Sequence, residues 1–152
     1  MTSDTVSVER TIPAPPEQIF ALLSDAGKHQ SFDGSGTLRG TARESRPLSL
    51  GTKFGMSMHM GFGYKTSNEV VEFEQDRRIA WRTTAMNGLV GGRIWRYELQ
   101  PVEGGTLVRE TWDVTHDRQK FFLKRSKLPR SNEAGMRKTL ERIAKVLATP
   151  TL

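Results

Sequence analysis

The chain has 152 residues, 36% apolar and 26% charged, with no cysteine and a formal net charge of +6. That length suits one domain with a real core, and the composition is that of an ordinary globular protein. It leaves no room for a disulfide framework or thiolate chemistry, and no run approaches the ~18 apolar residues of a membrane span. Residues 1–10, MTSDTVSVER, lack the apolar stretch of a signal peptide, and a cytoplasmic location is expected.

In chain order, TVSVERTI alternates as a first strand over Thr5–Ile12. Prolines at 13, 15 and 16 stop it, and Pro15 or Pro16 can open a helix, whose first turn has spare N–H positions. Ile19, Phe20, Leu22 and Leu23 form that helix's apolar stripe, and Asp25, Ala26 and Gly27 end it. GKHQSFDGSG is turn-rich, with room for a short helical turn. Strand signals then come in series. TLRGTARE is a moderate strand and SRPLSLG a loop. TKFGMSMHMGFGY is a strand with Phe54, Met56, Met58, Met60, Phe62 and Tyr64 on one face and Gly55, Ser57, His59, Gly61 and Gly63 on the other. KTSNEVVEFE continues after a bend, with Gly61 and Gly63 offering a bulge or turn. RIAWRTTAM is a strand, NGLVGG a turn, RIWRYELQPV a strand, EGG a hairpin turn and TLVRETWDV a strand. Finally, NEAGMRKTLERIAKVLA places Met136, Leu140, Ile143, Ala144 and Leu147 on one helical face, with Ser131 or Asn132 as cap and Pro150 past the end.

This order predicts an α+β fold. Roughly seven antiparallel strands form a curved sheet around a long C-terminal helix, with two short helices after the first strand and one domain over residues 1–152. A sheet curved around one helix leaves a gap, which is the natural ligand cavity.

Four segments also carry a family resemblance. VERTIPAPPEQIFALLSD, GTKF, NEVVEFEQDRRIAWR and GMRKTLERI resemble the opening strand and helix, a glycine turn, paired strands about an acidic-Arg turn, and the closing helix of the START-like, Bet v 1-type (SRPBCC) superfamily. The likeness falls nearest the polyketide cyclase/dehydrase and lipid-transport group and spans nearly the whole chain. Phe32 departs from the pattern, since many relatives carry Trp in that loop. The resemblance implies the helix-grip fold and a cavity for a lipid- or polyketide-like molecule. Members bind such molecules, and some cyclise or dehydrate them. The first reading is therefore a binding protein for a hydrophobic small molecule. The alternative is a polyketide cyclase/aromatase or dehydratase using cavity acid/base residues.

Alternation picks the candidate ligand-binding residues. Methionine is unbranched and polarizable and suits a wall that repacks around apolar ligands, so Met56, Met58, Met60 and Phe62 are expected to face the last helix, with His59 turned away. Trp81 is open between core and ligand wall. Arg93, Trp95 and Tyr97 share a face, as do Glu110, Trp112 and Val114. Arg93 and Glu110 then look inward from neighbouring strands, as a structural ion pair, a ligand anchor or catalytic groups. Met136 and Leu140 close the cavity from the helix.

Among the three histidines, His29 lies in the polar loop near the expected cavity mouth. Asp33 can orient it there and Ser35 can bind a ligand oxygen. Glu110, His29 and Asp33 are the catalytic candidates. No metal-ligand spacing, phosphate-cradling loop or nucleic-acid signature is present, so no metal, cofactor or nucleic-acid partner is expected. Arg118, Lys120, Lys124, Arg125, Lys127 and Arg130 equal the whole charge excess. The segment 118–130 reads as a solvated face or as a membrane-surface contact, with Phe121, Phe122 and Leu123 either interfacial or docked on the sheet. A monomer and a homodimer are both compatible with the sequence.

Overall fold

A computed structural model describes residues 3–33, 38–39, 46–59 and 63–148. For residues 30, 38, 39 and 56–59 it describes the backbone alone. The element order is β1 (Thr5–Ile12), α1 (Pro16–Leu23), a 3-10 turn (Ala26–Ser31), β2 (Leu38–Arg39), β3 (Lys53–His59), β4 (Gly63–Glu74), β5 (Arg78–Ala85), a 3-10 turn (Met86–Gly88), β6 (Val90–Val102), β7 (Gly105–Asp113), α2 (Lys120–Arg125) and α3 (Leu128–Ala148). Six full strands and the two-residue β2 make one antiparallel sheet in the order β1-β7-β6-β5-β4-β3-β2. The α+β, helix-grip expectation holds.

The boundaries differ from expectation for local reasons. The expected strand over 52–64 is not one strand: β3 ends at His59, β4 starts at Gly63 and pairs with it antiparallel, and Tyr64 lies opposite Met58. Of TLRGTARE, Leu38 and Arg39 pair with β3, and residues 37 and 40–44 lie outside the described set. β6 starts earlier than the turn-like NGLVGG suggested. Gly91, at φ +105, sits at the register shift in the β5–β6 pairing, where an added Cβ would lie 2.5 Å from the Thr83 carbonyl oxygen. α3 also starts one turn early. Pro129 occupies the first turn, where no N–H is needed, and Ser126 Oγ accepts from Leu128 N at 3.1 Å.

The core fills one end of the molecule. Ile19, Phe20 and Leu23 of α1 and Leu140 and Ile143 of α3 are buried with Val8, Ile12, Val108 and Trp112 of β1 and β7. The main strand contacts of α3 are to β1 and β7. The helix thus seals one side of the curved sheet, and the inner face of β4–β6 opens onto a space.

Candidate functional site

That space is a cavity of about 260 Å³, close to the lower end of the ~300–1,000 Å³ usual for small-molecule sites. Trp81 on β5, Trp95 and Tyr97 on β6, and Met136 on α3 give it an apolar wall. Tyr64, Thr66 and Asn68 of β4 line it on the far side. Asn68 is buried, accepts from Thr83 Oγ1 at 2.7 Å and donates to the Phe54 carbonyl at 3.2 Å, so its amide is fixed.

Three polar groups give the cavity its chemistry. Tyr97 and Glu110 face each other across the β6–β7 register, and Tyr97 Oη donates to Glu110 Oε2 at 2.9 Å. Burial pushes the Glu110 carboxyl up to about 8, against the Tyr97 hydrogen bond and with help from the Asp33 charge. At neutral pH Glu110 is therefore mostly a carboxylic acid. Burial also raises Tyr97 well above the ordinary phenol range, reinforced by the neighbouring carboxyl. Glu110 Oε1 is buried without a hydrogen-bond partner among the described residues.

His29 is the third group. Its ring stacks on Trp81 at 4.9 Å and meets Phe32 and Phe54 edge-on at 5.6 Å each. Nε2 lies 2.8 Å from the Leu23 carbonyl. A carbonyl only accepts, so Nε2 carries the proton and Nδ1 is a bare acceptor. Burial drives the imidazole down to about 4, outweighing the Leu23 carbonyl and Asp25, and Nδ1 has no partner. The one other unpartnered buried side-chain polar atom among the described residues, Trp112 Nε1, belongs to the core.

The structure brings together most of the expected site residues. Trp81, Arg93, Trp95, Tyr97, Glu110, Met136, His29 and Asp33 all border the cavity. Trp81 serves both readings, being buried in the core and part of the wall. Met60 and Phe62 lie outside the described residues, and the side chains of Met56, Met58 and His59 likewise. The backbone register sets Met56 opposite Thr66 and Met58 opposite Tyr64.

Four expectations are corrected. Trp112 and Leu140 are not cavity residues. Trp112 lies opposite Val6 of β1 in the half of the sheet that α3 covers, and Leu140 falls beyond the helix face of Met136 and Thr139 that meets the cavity. Arg93 does not pair with Glu110. The β6–β7 register sets Glu110 opposite Tyr97, well along β6 from Arg93, and the Arg93 Nε instead donates to Asp117 Oδ2 at 3.0 Å, an Asp whose side chain is 0% exposed. His29 is not in a polar mouth loop but in an aromatic box inside the 3-10 turn. Asp33 does not orient it, since the Leu23 carbonyl holds Nε2 and Nδ1 is unpartnered.

The fourth concerns the basic segment. Phe121 and Phe122 do not dock on the sheet; they are 75% and 73% exposed, and only Leu123 is buried. Lys120 and Lys124, one helical turn apart, both bind Asp4, at 3.0 and 2.8 Å, which fixes how α2 is rotated.

Sequence reasoning missed Asn68, Asp117 and Thr139. Asn68 was findable, because Thr66, Asn68 and Val70 share one parity and alternate toward the buried face. Asp117 follows the last strand in a loop, where no periodicity marks it.

A curved antiparallel sheet closed by a C-terminal helix over an apolar cavity with buried polar groups defines a helix-grip domain of the START-like type. A family model described as polyketide cyclase / dehydrase and lipid transport matches residues 3–148, and the chain belongs to that family. The uncharacterised protein Rv0088 of Mycobacterium tuberculosis is 28% identical over 146 residues, covering 91% of this chain and 62% of the relative. The chain thus spans less than two thirds of that relative's length. Among solved structures, a protein from Arthrobacter aurescens has a TM-score of 0.73 at 18% identity, covering 97% of this chain and 88% of its own. DynU16, a protein in the dynemicin biosynthetic locus, has a TM-score of 0.67 at 20% identity, covering 97% of this chain and 48% of its own. These likenesses bear on the fold.

Proposed function

We propose that the protein binds a hydrophobic, lipid- or polyketide-like small molecule in the cavity between the sheet and α3. Tyr97–Glu110 and His29 would hold oxygen atoms of that molecule. One observation carries the reading. Two cavity-bordering residues each leave a buried polar atom without a partner among the described residues, Glu110 Oε1 and His29 Nδ1, beside a mostly apolar wall. A buried polar atom without a partner costs about 1–3 kcal/mol, and a ligand oxygen removes that cost. With Oε2 accepting from Tyr97, the acid proton of Glu110 sits on Oε1 and donates to a ligand carbonyl. His29 Nδ1 accepts from a ligand hydroxyl.

Quenching of Trp81 and Trp95 fluorescence tests this. 6-Acetyl-2-naphthol, which carries both a carbonyl and a hydroxyl, should bind at least about tenfold tighter than naphthalene, since each new hydrogen bond contributes about 1 kcal/mol. The preference should shrink in Glu110→Met, which removes the donor, and in His29→Phe. Equal affinity for both compounds would refute the polar anchors, and no binding of either would refute the cavity reading.

A carboxyl held at about 8 and a bare imidazole nitrogen on residues bordering the same cavity also favour a second reading, a dehydratase or cyclase. In a dehydration, Glu110 protonates the leaving hydroxyl as the C–O bond breaks. His29 takes the proton from the carbon next to the carbonyl, and water departs. Turnover of a β-hydroxy aryl ketone, lost in Glu110→Gln, would separate this from binding alone.

A further inference from the structure

Four large apolar side chains stand exposed in two neighbouring segments: Phe121 and Phe122 on α2, and Met86 and Leu89 in the β5–β6 turn, at 75%, 73%, 71% and 67%. The segments are tied to each other. Gln119 accepts from Gly91 N at 2.8 Å and donates to the Leu89 carbonyl at 3.1 Å, and Arg118 N donates to the Gly91 carbonyl at 2.9 Å. The cavity lining reaches the flanks of both segments, at Ala85, Val90 and Gly91 beside the β5–β6 turn and at Leu128, the first residue of α3, just after α2. The Phe pair cannot turn inward, because Leu123 is buried and Lys120 and Lys124 are bound to Asp4 on another face of α2. Around the pair, Arg118, Arg125, Lys127 and Arg130 are exposed, and residues 118–130 contain no acid.

We propose that α2 and the β5–β6 turn dock on an anionic lipid bilayer, at the rim of the cavity. A bilayer interface matches both halves of the surface: Phe, Met and Leu enter the headgroup–acyl boundary while the cations meet anionic headgroups. A second copy of the chain fits poorly, since a two-fold contact would set the same basic segments against each other. The place of the patch beside the cavity makes it a point of ligand exchange with lipid. That role rests on the ligand-binding reading, whereas docking itself does not.

Flotation with vesicles tests the surface without any cavity ligand. The protein should float with phosphatidylglycerol-containing vesicles at low salt, and not with phosphatidylcholine alone. Binding should fall steeply at about 1 M salt, where charge is screened within about 3 Å. Phe121→Ser with Phe122→Ser should lower binding at least about tenfold. Both side chains are exposed, so the double variant should keep its thermal midpoint and its naphthol binding in the cavity. Absence of flotation on the anionic vesicles, unchanged flotation of the double variant, or concentration-dependent dimerisation that the double variant loses would each overturn the proposal. Flotation without naphthol binding would leave docking standing and remove the cavity reading.

Discussion

Glu110→Gln isolates the electrostatic cost at the centre of the cavity. In the unfolded chain the carboxyl titrates near 4.5; in the fold, burial holds it at about 8. The folded value is raised, so the folded state keeps its proton while the unfolded state releases it. Stability is therefore fully present below pH 4.5 and is lost as pH rises toward 8. Each tenfold change in proton affinity between the two states is worth about 1.36 kcal/mol, so the cost is about 1 kcal/mol at pH 5 and about 4 kcal/mol at pH 8. Gln has nearly the same shape and its carbonyl still accepts from Tyr97, but it does not titrate. Its amide hydrogens meet the unpartnered side of the site, which changes stability by an amount independent of pH. The difference between the two proteins should thus change by about 3 kcal/mol between pH 5 and 8, in favour of Gln at the alkaline end. The titratable neighbours facing Glu110, Tyr97 on β6 and Asp33 after the 3-10 turn, are common to both proteins, and the comparison subtracts them to first order. Urea unfolding followed by tryptophan fluorescence measures it. Parallel pH profiles would mean that Glu110 ionises like a solvated carboxyl, and the dry, proton-donating cavity would be wrong.

Two further outcomes follow from the same geometry. His29 carries the opposite sign: its folded value, about 4, is depressed from 6.5, so stability present above pH 6.5 should drop by about 3 kcal/mol as pH falls to 4. His29→Phe should flatten that acid slope in the same unfolding assay, and an unchanged slope would place the imidazole in water. Arg93→Met strands the buried Asp117 carboxylate and should cost about 3 kcal/mol in thermal or urea unfolding, with Asp117→Asn added to it recovering part of the loss; additive losses would show that the two are not coupled.

The architecture was legible in the residue order alone. Period-two alternation in TLVRETWDV placed Val108, Glu110, Trp112 and Val114 on one face, and all four are buried. Period 3.6 in the last segment put Met136, Leu140 and Ile143 inside. These patterns survive folding because burial selects one face of each element wherever it packs. Whatever depends on where an element ends, and on what lies across from it, came from the folded chain. Arg93 and Glu110 share an inward parity, but the register sets Glu110 opposite Tyr97, and the partner of Arg93 is a loop aspartate. Trp112 and Glu110 are two residues apart on one face, yet one is in the core and the other borders the cavity, because α3 covers only part of the sheet. His29 reads as a polar loop residue, but Trp81, Phe32 and Phe54 come from three places in the chain to enclose it. Periodicity tells a side chain which way to face. Its neighbours, and with them the protonation states of Glu110 and His29, are set by strand register and by the reach of one helix.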